Sequence, residues 1–393
     1  MSIRIGVVSA FPPGRNSLNE FGFHLVKHMA QNDEISEVVL FADETDAGPP
    51  TAIDGVVNEV CWGFNRLGNV ASIAGAIRRT RPDAVLLNLQ FATFGDARVP
   101  GGMGLLLPAV LRTMGVPTGV ILHNLVDNVD MQDAGFAESK VMAKLMMTAG
   151  RALTHLILRA DYVALTIPKY VELLQDRYGA TNALLAPHGS FEEIAEPSFG
   201  IPDGPKQILA FGKWGTYKTV DSLIDAYREL LGRGYDNIEL VIAGTDSPNS
   251  PGYLAGIEAG CADLPGVRFT GYVEEDDVAG MFSSAAVVVF PYTSTTGSSG
   301  VLHQAGTYGR AAVIPRIGDF IEVIEEEGFM GEYFEPDNHL EMADALSKLL
   351  DDPTRREELG RRNYLAASGI PMSEVIDWHL IHLDRLMNPV SDS

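Results

Sequence analysis

The sequence predicts an α/β protein built from two Rossmann-like, doubly wound domains. Three observations carry that reading. Short apolar strands alternate with amphipathic helices almost throughout, the pattern of parallel sheets covered on both faces. The alternation breaks at "EEIAEPSFGIPDGPKQ", a linker rich in proline and acidic residues, and then restarts. The chain has 393 residues, more than one compact core ordinarily holds.

In order, "IRIGVVSAF" reads as a strand followed by a helix over 19–30, and "EVVLFA" as a strand followed by a loop. "AVLLNLQ" leads through a polar excursion to a helix over 104–114, and "TGVILHN" through a polar segment to a helix over 139–159. "DYVALT" and a helix over 168–178 follow. After the linker come "ILAFGKW" and helix 219–232, "IELVIAG" and 251–260, "VRFTGYV" and 275–284, and "AVVVFPY" and 299–309. "AAVIPRIG" with helix 319–327 and "GEYFEP" with helix 338–350 complete the second unit. In the tail "SEVIDWHLIHLDRLM", Val375, Trp378, His379, Ile381, Leu383 and Leu386 recur at helical spacing. The expected domains are therefore 1–195, 196–370, and a final helix within 371–393 that packs back on the first domain.

Composition narrows the function. Hydrophobic residues make up 46% and charged residues 21% of the chain, the balance of a soluble globular enzyme. The formal net charge of -23 excludes nucleic acid as a partner, because phosphate backbones require clustered Lys and Arg. It also opposes adhesion to an anionic membrane by overall charge, leaving peripheral contact to a local basic face. The two cysteines, Cys61 and Cys261, lie too far apart in sequence for a disulfide framework or metal-ligand spacing, which points to a reducing, cytoplasmic compartment. "MSIRIGVVSAF" reads as a strand and turn rather than a signal peptide. The longest apolar stretch, "MGLLLPAVL", falls well short of the roughly 20 residues a spanning helix needs.

Two loops of the second domain carry chemistry. In "FGKWGTYKTVDSLIDAY", Lys213 ends a strand and Lys218 precedes a helix, with Gly215 between them. Two ammonium groups and a helix N-terminus make a site for a diphosphate, where solvated surface lysines are the plainer alternative. In "TSTTGSSGVLHQAGTYGRAAVIP", glycines at 297 and 300 let backbone N–H groups and the hydroxyls of Ser298 and Ser299 face a ligand. Val301 follows in the same helical turn. The plainer alternative here is a loop with a Ser N-cap. Together the loops read as one anion cradle.

These motifs resemble the donor domain of retaining glycosyltransferases of the GT-B fold, family 4. "GKWGTYK" matches that family's basic loop, "LVIAG" and "VRFTGYV" its next two strands, and "TGSSGVLHQAGTYGRAAVI" its glutamate-bearing segment. The resemblance covers essentially the whole chain and is far more specific in the second domain. It departs at both motif glutamates. Thr296 stands at the first, beside the transferred sugar in the family, and Gln304 at the second, where the family glutamate accepts from the ribose. Gln304 retains a carbonyl acceptor without the charge.

In the first domain the resemblance implies a loop over diphosphate and acceptor at "FPPGRNSLNEFGFHL". Gly14 marks its turn, Asn19 and Glu20 open the next helix, and Arg15 is a candidate cation. An N-cap is the plainer role for Asn19. His123 ends "TGVILH" beside Asn124 and Asp127, where many family members place a histidine next to the sugar. His188 in "LLAPHGSF" matches the family's hinge segment. His24, His155 and His379 fall inside helices and read as structural.

The resemblance thus implies transfer of a hexose from a nucleoside diphosphate sugar to a saccharide or lipid-linked acceptor, in polysaccharide or glycoconjugate assembly. His123, Lys213 and Lys218 would be the catalytic groups. The two lysines would take the part a divalent metal plays elsewhere, so neither metal nor other cofactor is expected. Two rivals stand beside it: a sugar-nucleotide 2-epimerase of the same fold, and a non-catalytic glycosyltransferase-like subunit. An epimerase needs carboxylates for proton transfer, which the missing glutamates oppose. Those same losses favour the non-catalytic subunit.

Overall fold

Apolar runs begin both halves, and in the computed structural model each becomes an interior strand of its own parallel sheet. The structure describes residues 2–14, 16, 18–125, 140–247, 249–294 and 299–388. The chain divides into two units. One comprises Met1–Val129, Ser139–Phe191 and Met372–Ser393, and most of the other is Glu192–Pro371.

The first unit runs β1 (Ile3–Ser9), α1 (Asn19–Ala30), β2 (Ile35–Glu44), β3 (Val56–Gly63), α2 (Asn69–Thr80), β4 (Ala84–Leu89), α3 (Arg98–Gly104) and α4 (Leu107–Thr113). It continues through β5 (Thr118–Leu122), α5 (Lys140–Ile157), β6 (Tyr162–Leu165), α6 (Pro168–Tyr178) and β7 (Ala183–Leu185). Its strands form one sheet in the order β3-β2-β1-β4-β5-β6-β7, with every pair parallel. The second unit runs β8 (Lys206–Trp214), α7 (Asp221–Gly232), β9 (Ile238–Asp246), α8 (Tyr253–Gly260), β10 (Val267–Phe269), α9 (Glu275–Ser284) and β11 (Ala285–Val289). It ends with α10 (Gly300–Thr307), β12 (Ala311–Pro315), α11 (Gly318–Glu327), β13 (Gly331–Phe334), α12 (His339–Asp351) and α13 (Pro353–Ser368). Its parallel sheet has the order β10-β9-β8-β11-β12-β13.

A last helix, α14 (Met372–Met387), belongs to the first unit. Met372, Val375, Ile376, His379, Leu380 and Leu383 bury its apolar stripe, each large apolar side chain contributing roughly 1.5–3 kcal/mol. The stripe meets the sheet through Tyr162, whose hydroxyl lies 2.9 Å from His379 Nδ1. A glycine makes room for that ring: a Cβ at Gly119 on β5 would lie 2.4 Å from it.

Several elements differ from the sequence reading. The helix expected over 104–114 starts later, as α4 with Pro108 in its first turn, and the polar excursion before it holds the short helix α3. Strand β3 and helix α2 occupy what reads as loop. β3 is an edge strand that carries an exposed Asn58 and a half-buried Glu59, so its apolar pattern is diluted. Helix α13 is highly charged and weakly amphipathic, yet it starts on a firm signal: Asp352 Oδ1 accepts from Arg355 N at 2.9 Å, with Pro353 in the first turn. The linker is fastened to the second unit by Arg310, which donates to Ser198 O and Gly200 O from a site 2% exposed.

Candidate functional site

In the second unit the winding reverses between β8 and β11, since β9 and β10 lie on one side and β12 and β13 on the other. The carboxyl ends of those two neighbours form a topological switch point, where doubly wound sheets take ligands. Both chemistry-bearing loops leave the sheet there.

Lys213 lies on β8, opposite Thr245, and is half-buried. The following turn closes with Gly215 N donating to Lys218 O at 2.8 Å. Gly215 has φ +114, and a Cβ there would sit 2.6 Å from Ser250 Cβ, so only glycine makes this turn without strain. Lys218 forms an antiparallel bridge with Tyr292, just past β11. Its Nζ stands 4.4 Å from the Tyr292 ring centroid. Thr293 N and Oγ1 both donate to Tyr217 O, at 2.9 and 3.1 Å. The lysine loop and the segment after β11 are therefore tied together by backbone as well as side chain.

Ser299 holds the N-cap position of α10 in extended backbone, but its hydroxyl does not cap the helix. The hydroxyl is buried beside Tyr292 OH. Burial pushes the Tyr292 phenol up, and Ser299 offsets part of that rise, without an aligned hydrogen bond between them. The N–H groups of Gly300 and Val301 open α10, where first-turn donors lack intrahelical acceptors. Gln304 sits half-buried one turn in. The helix can approach α13 because Gly306 has no Cβ; one would lie 2.6 Å from Asn363 O. Thr296, Gly297 and Ser298 lie outside the described residues.

In the first unit the winding reverses between β1 and β4. After β1, Gly14 N donates to Phe11 O at 3.0 Å, and Asn19 Nδ2 donates to Gly14 O at 2.7 Å. Asn19 is thus a buried strut of the loop and the first residue of α1, not its N-cap. Leu18 takes that position with φ 70. Glu20 is exposed, and Arg15 and Asp127 lie outside the described residues. Asp43, at the end of β2, was not singled out from the sequence. Its carboxylate accepts from Phe11 N at 3.0 Å and Asn16 Nδ2 at 2.6 Å, and burial raises its pKa against those bonds. An acidic residue closing the apolar run "VVLFAD" was the available signal.

His123 follows β5, with Nε2 2.7 Å from Asn88 Oδ1. Asn88 Nδ2 donates to Ser9 Oγ at 2.9 Å and faces Leu18 O, so its oxygen is turned to the histidine and Nε2 carries the proton. Burial lowers the imidazole to about 4, leaving it neutral at physiological pH. Neighbouring Asn124 accepts from Phe91 N at 3.1 Å through Oδ1. His188 is buried, 6.2 Å from His123 between ring centroids, and both pack edge-on against Phe21. The structure therefore brings His123 and His188 together and places Gly14 with Asn19. Within the second unit it ties Lys218 to the segment that leads into α10.

Residues 205–352 match the family model for glycosyl transferases group 1. The stretch includes the lysine loop, the switch point and α10. Over the whole chain the fold is that of GT-B glycosyltransferases. The chain is similar to sucrose-phosphate synthase from Thermosynechococcus elongatus (TM-score 0.73, 16% identity, 98% of each chain). It is also similar to HepE from Anabaena in complex with UDP-glucose (TM-score 0.69, 14% identity, 97% of this chain and 99% of that one). In sequence it is 29% identical to an alpha-D-kanosaminyltransferase from Streptomyces kanamyceticus over 264 residues, 63% of this chain and 65% of that protein. Against three other curated relatives the chain spans 39–42% of their length. No helix among the described residues is long and apolar enough to cross a membrane.

Proposed function

We propose that the chain is a retaining family 4 glycosyltransferase. It moves a hexose from a nucleoside diphosphate sugar to a saccharide or lipid-linked acceptor, in the cytoplasmic assembly of a polysaccharide or glycoconjugate. In this reading residues 196–370 bind the donor and residues 1–195 the acceptor. The observation that carries it is the convergence of the lysine loop and the lead into α10 at the switch point of a glycosyl transferases group 1 domain. Kanosaminyl and rhamnosyl transferases among its relatives, and a structural neighbour holding UDP-glucose, support a nucleotide-sugar donor.

The reaction breaks the bond from the anomeric carbon to the diphosphate and forms one to the acceptor oxygen on the same face. The acceptor's proton passes to the leaving phosphate. Negative charge that grows on the diphosphate is met by Lys213, Lys218 and the first-turn N–H groups of α10, stabilisation that strengthens as the bond breaks. No metal is needed for that role. Gln304 takes the ribose through its carbonyl oxygen, and neutral His123 presents a hydrogen-bonding edge to the sugar.

A thermal-shift series with UDP, GDP, ADP and dTDP tests the reading. A matched diphosphate at 100 times its Kd stabilises the protein by about 2.7 kcal/mol, and an unmatched one leaves the melting temperature in place. No shift with any of the four contradicts a nucleotide-sugar donor.

A further inference from the structure

His303 and Glu327 form a buried pair in the second unit, with side chains 1% and 7% exposed and Nε2 3.0 Å from Oε2. His303 Nδ1 lies 2.9 Å from the carbonyl oxygen of Ser299, which also takes Leu302 N at 2.9 Å and His303 N at 3.3 Å. A carbonyl oxygen only accepts, so Nδ1 carries a proton. The Nε2–H is not squarely aligned with the carboxylate, making this contact a Coulombic pair more than a directed hydrogen bond. Burial favours the neutral ring, but Glu327 and the Ser299 carbonyl outweigh it and hold the imidazole above its ordinary pKa. Phe329 packs edge-on against the ring at 5.3 Å, and Arg362 of α13 donates to the carbonyl of Gly328, next to Glu327.

Stability alone does not call for such a pair, because a buried ion pair exchanged for apolar residues of similar volume is often neutral or stabilising. Its placement is more telling. It grips the carbonyl of Ser299, the N-cap of α10, and it puts a cation beneath that helix end, whose first-turn N–H groups face the diphosphate in the donor reading. Glu327 closes α11, where the helix dipole disfavours a carboxylate unless a cation meets it.

We propose that His303, held by Glu327, is a positioning residue for the donor diphosphate: it sets the N-terminal turn of α10 and adds a fixed positive charge under it. The inference rests on the donor reading above and deepens it. Its signature is selectivity for phosphate charge. Calorimetry uses whichever of UDP, GDP, ADP and dTDP binds tightest, alongside the matching monophosphate. His303→Leu and Glu327→Gln are each expected to lower the diphosphate-to-monophosphate affinity ratio about fivefold or more. A merely structural role weakens both ligands equally, and an unchanged ratio in either folded variant overturns the proposal. If His303→Leu fails to fold, the shape-conserving Glu327→Gln decides. Failure of the wild type to bind any of the four diphosphates overturns the donor reading as well, whereas a bound wild type with unchanged variant ratios overturns this inference alone.

Discussion

Lys218 stands with its ammonium 4.4 Å above the ring of Tyr292 and shares a backbone bridge with it. One residue of the lysine loop is thereby set against the third residue past β11, and the Tyr292 hydroxyl is buried beside Ser299 at the N-cap of α10. Tyr292 thus touches both halves of the candidate donor site. A cation over an aromatic face gains about 0.5–2 kcal/mol, more as the pair is desolvated.

Replacing that ring should loosen the lysine. Tyr292→Leu is expected to weaken nucleoside diphosphate binding several-fold, in line with losing about 1 kcal/mol of placement. Tyr292→Phe keeps the ring and should bind within about twofold of wild type. Equal loss in the two variants, read by calorimetry, would show that the hydroxyl matters and the ring does not.

Gln304→Glu is expected to preserve or strengthen nucleotide binding. It keeps a carbonyl-type acceptor on the half-buried face of α10 and adds a charge near first-turn N–H groups that favour it. A large drop in diphosphate affinity would place Gln304 away from the ribose.

Burial holds His379 at about 3 and His123 at about 4, both below the ordinary histidine value. Depressed pKa values of this kind mean that the unfolded chain binds more protons between those values and about 6.5. Their stabilising effect is therefore complete above about pH 6.5 and drains away as pH falls toward 4 and then 3, at up to about 1.4 kcal/mol per pH unit for each group. His379→Gln keeps an acceptor for Tyr162 OH but cannot titrate. Denaturant melts between pH 6.5 and 4.5 should show its slope against pH shallower than wild type by about one proton. Parallel slopes would mean that His379 is not buried neutral.

Arg310 donates to the carbonyls of Tyr308, Ala285, Gly200 and Ser198. Burial and nearby Arg356 lower it to about 10, so it is charged at neutral pH. Arg310→Ala strands several buried acceptors at about 1–3 kcal/mol each. A loss of about 3 kcal/mol corresponds to roughly 6–12 °C in the melting temperature of a unit this size. A shift under 2 °C would mean that water replaces the guanidinium at little cost.

The parallel sheets were legible because buried strands such as "YVAL" and "AAVVV" carry apolar side chains almost without interruption. β3 was not, since an edge strand tolerates polar residues such as Asn58 and Glu59 within its apolar run. In the candidate site, Lys213, Lys218 and the start of α10 could be read because a loop after a strand exposes its chemistry in order. The supports beneath them could not. Tyr292 reads as the end of an apolar strand, and His303 and Glu327 are 24 positions apart in sequence, joined only by the packing of α10 against the end of α11. Asn19 shows the opposite error: a residue type typical of an N-cap proved to brace the loop before the helix.

The most direct measurement is release of nucleoside diphosphate from UDP-, GDP-, ADP- and dTDP-sugars, with and without mixed saccharide and lipid-linked acceptors, for wild type and Lys218→Ala. Wild type is expected to release one diphosphate in an acceptor-dependent way. Lys218→Ala, still folded, should be slower by about 10²–10³-fold, the effect of removing one donor to a developing anion. Acceptor-independent turnover would point to epimerase chemistry, and no turnover with any donor to a non-catalytic subunit. Wild-type rates in folded Lys218→Ala would contradict the assignment of Lys218 to the leaving diphosphate.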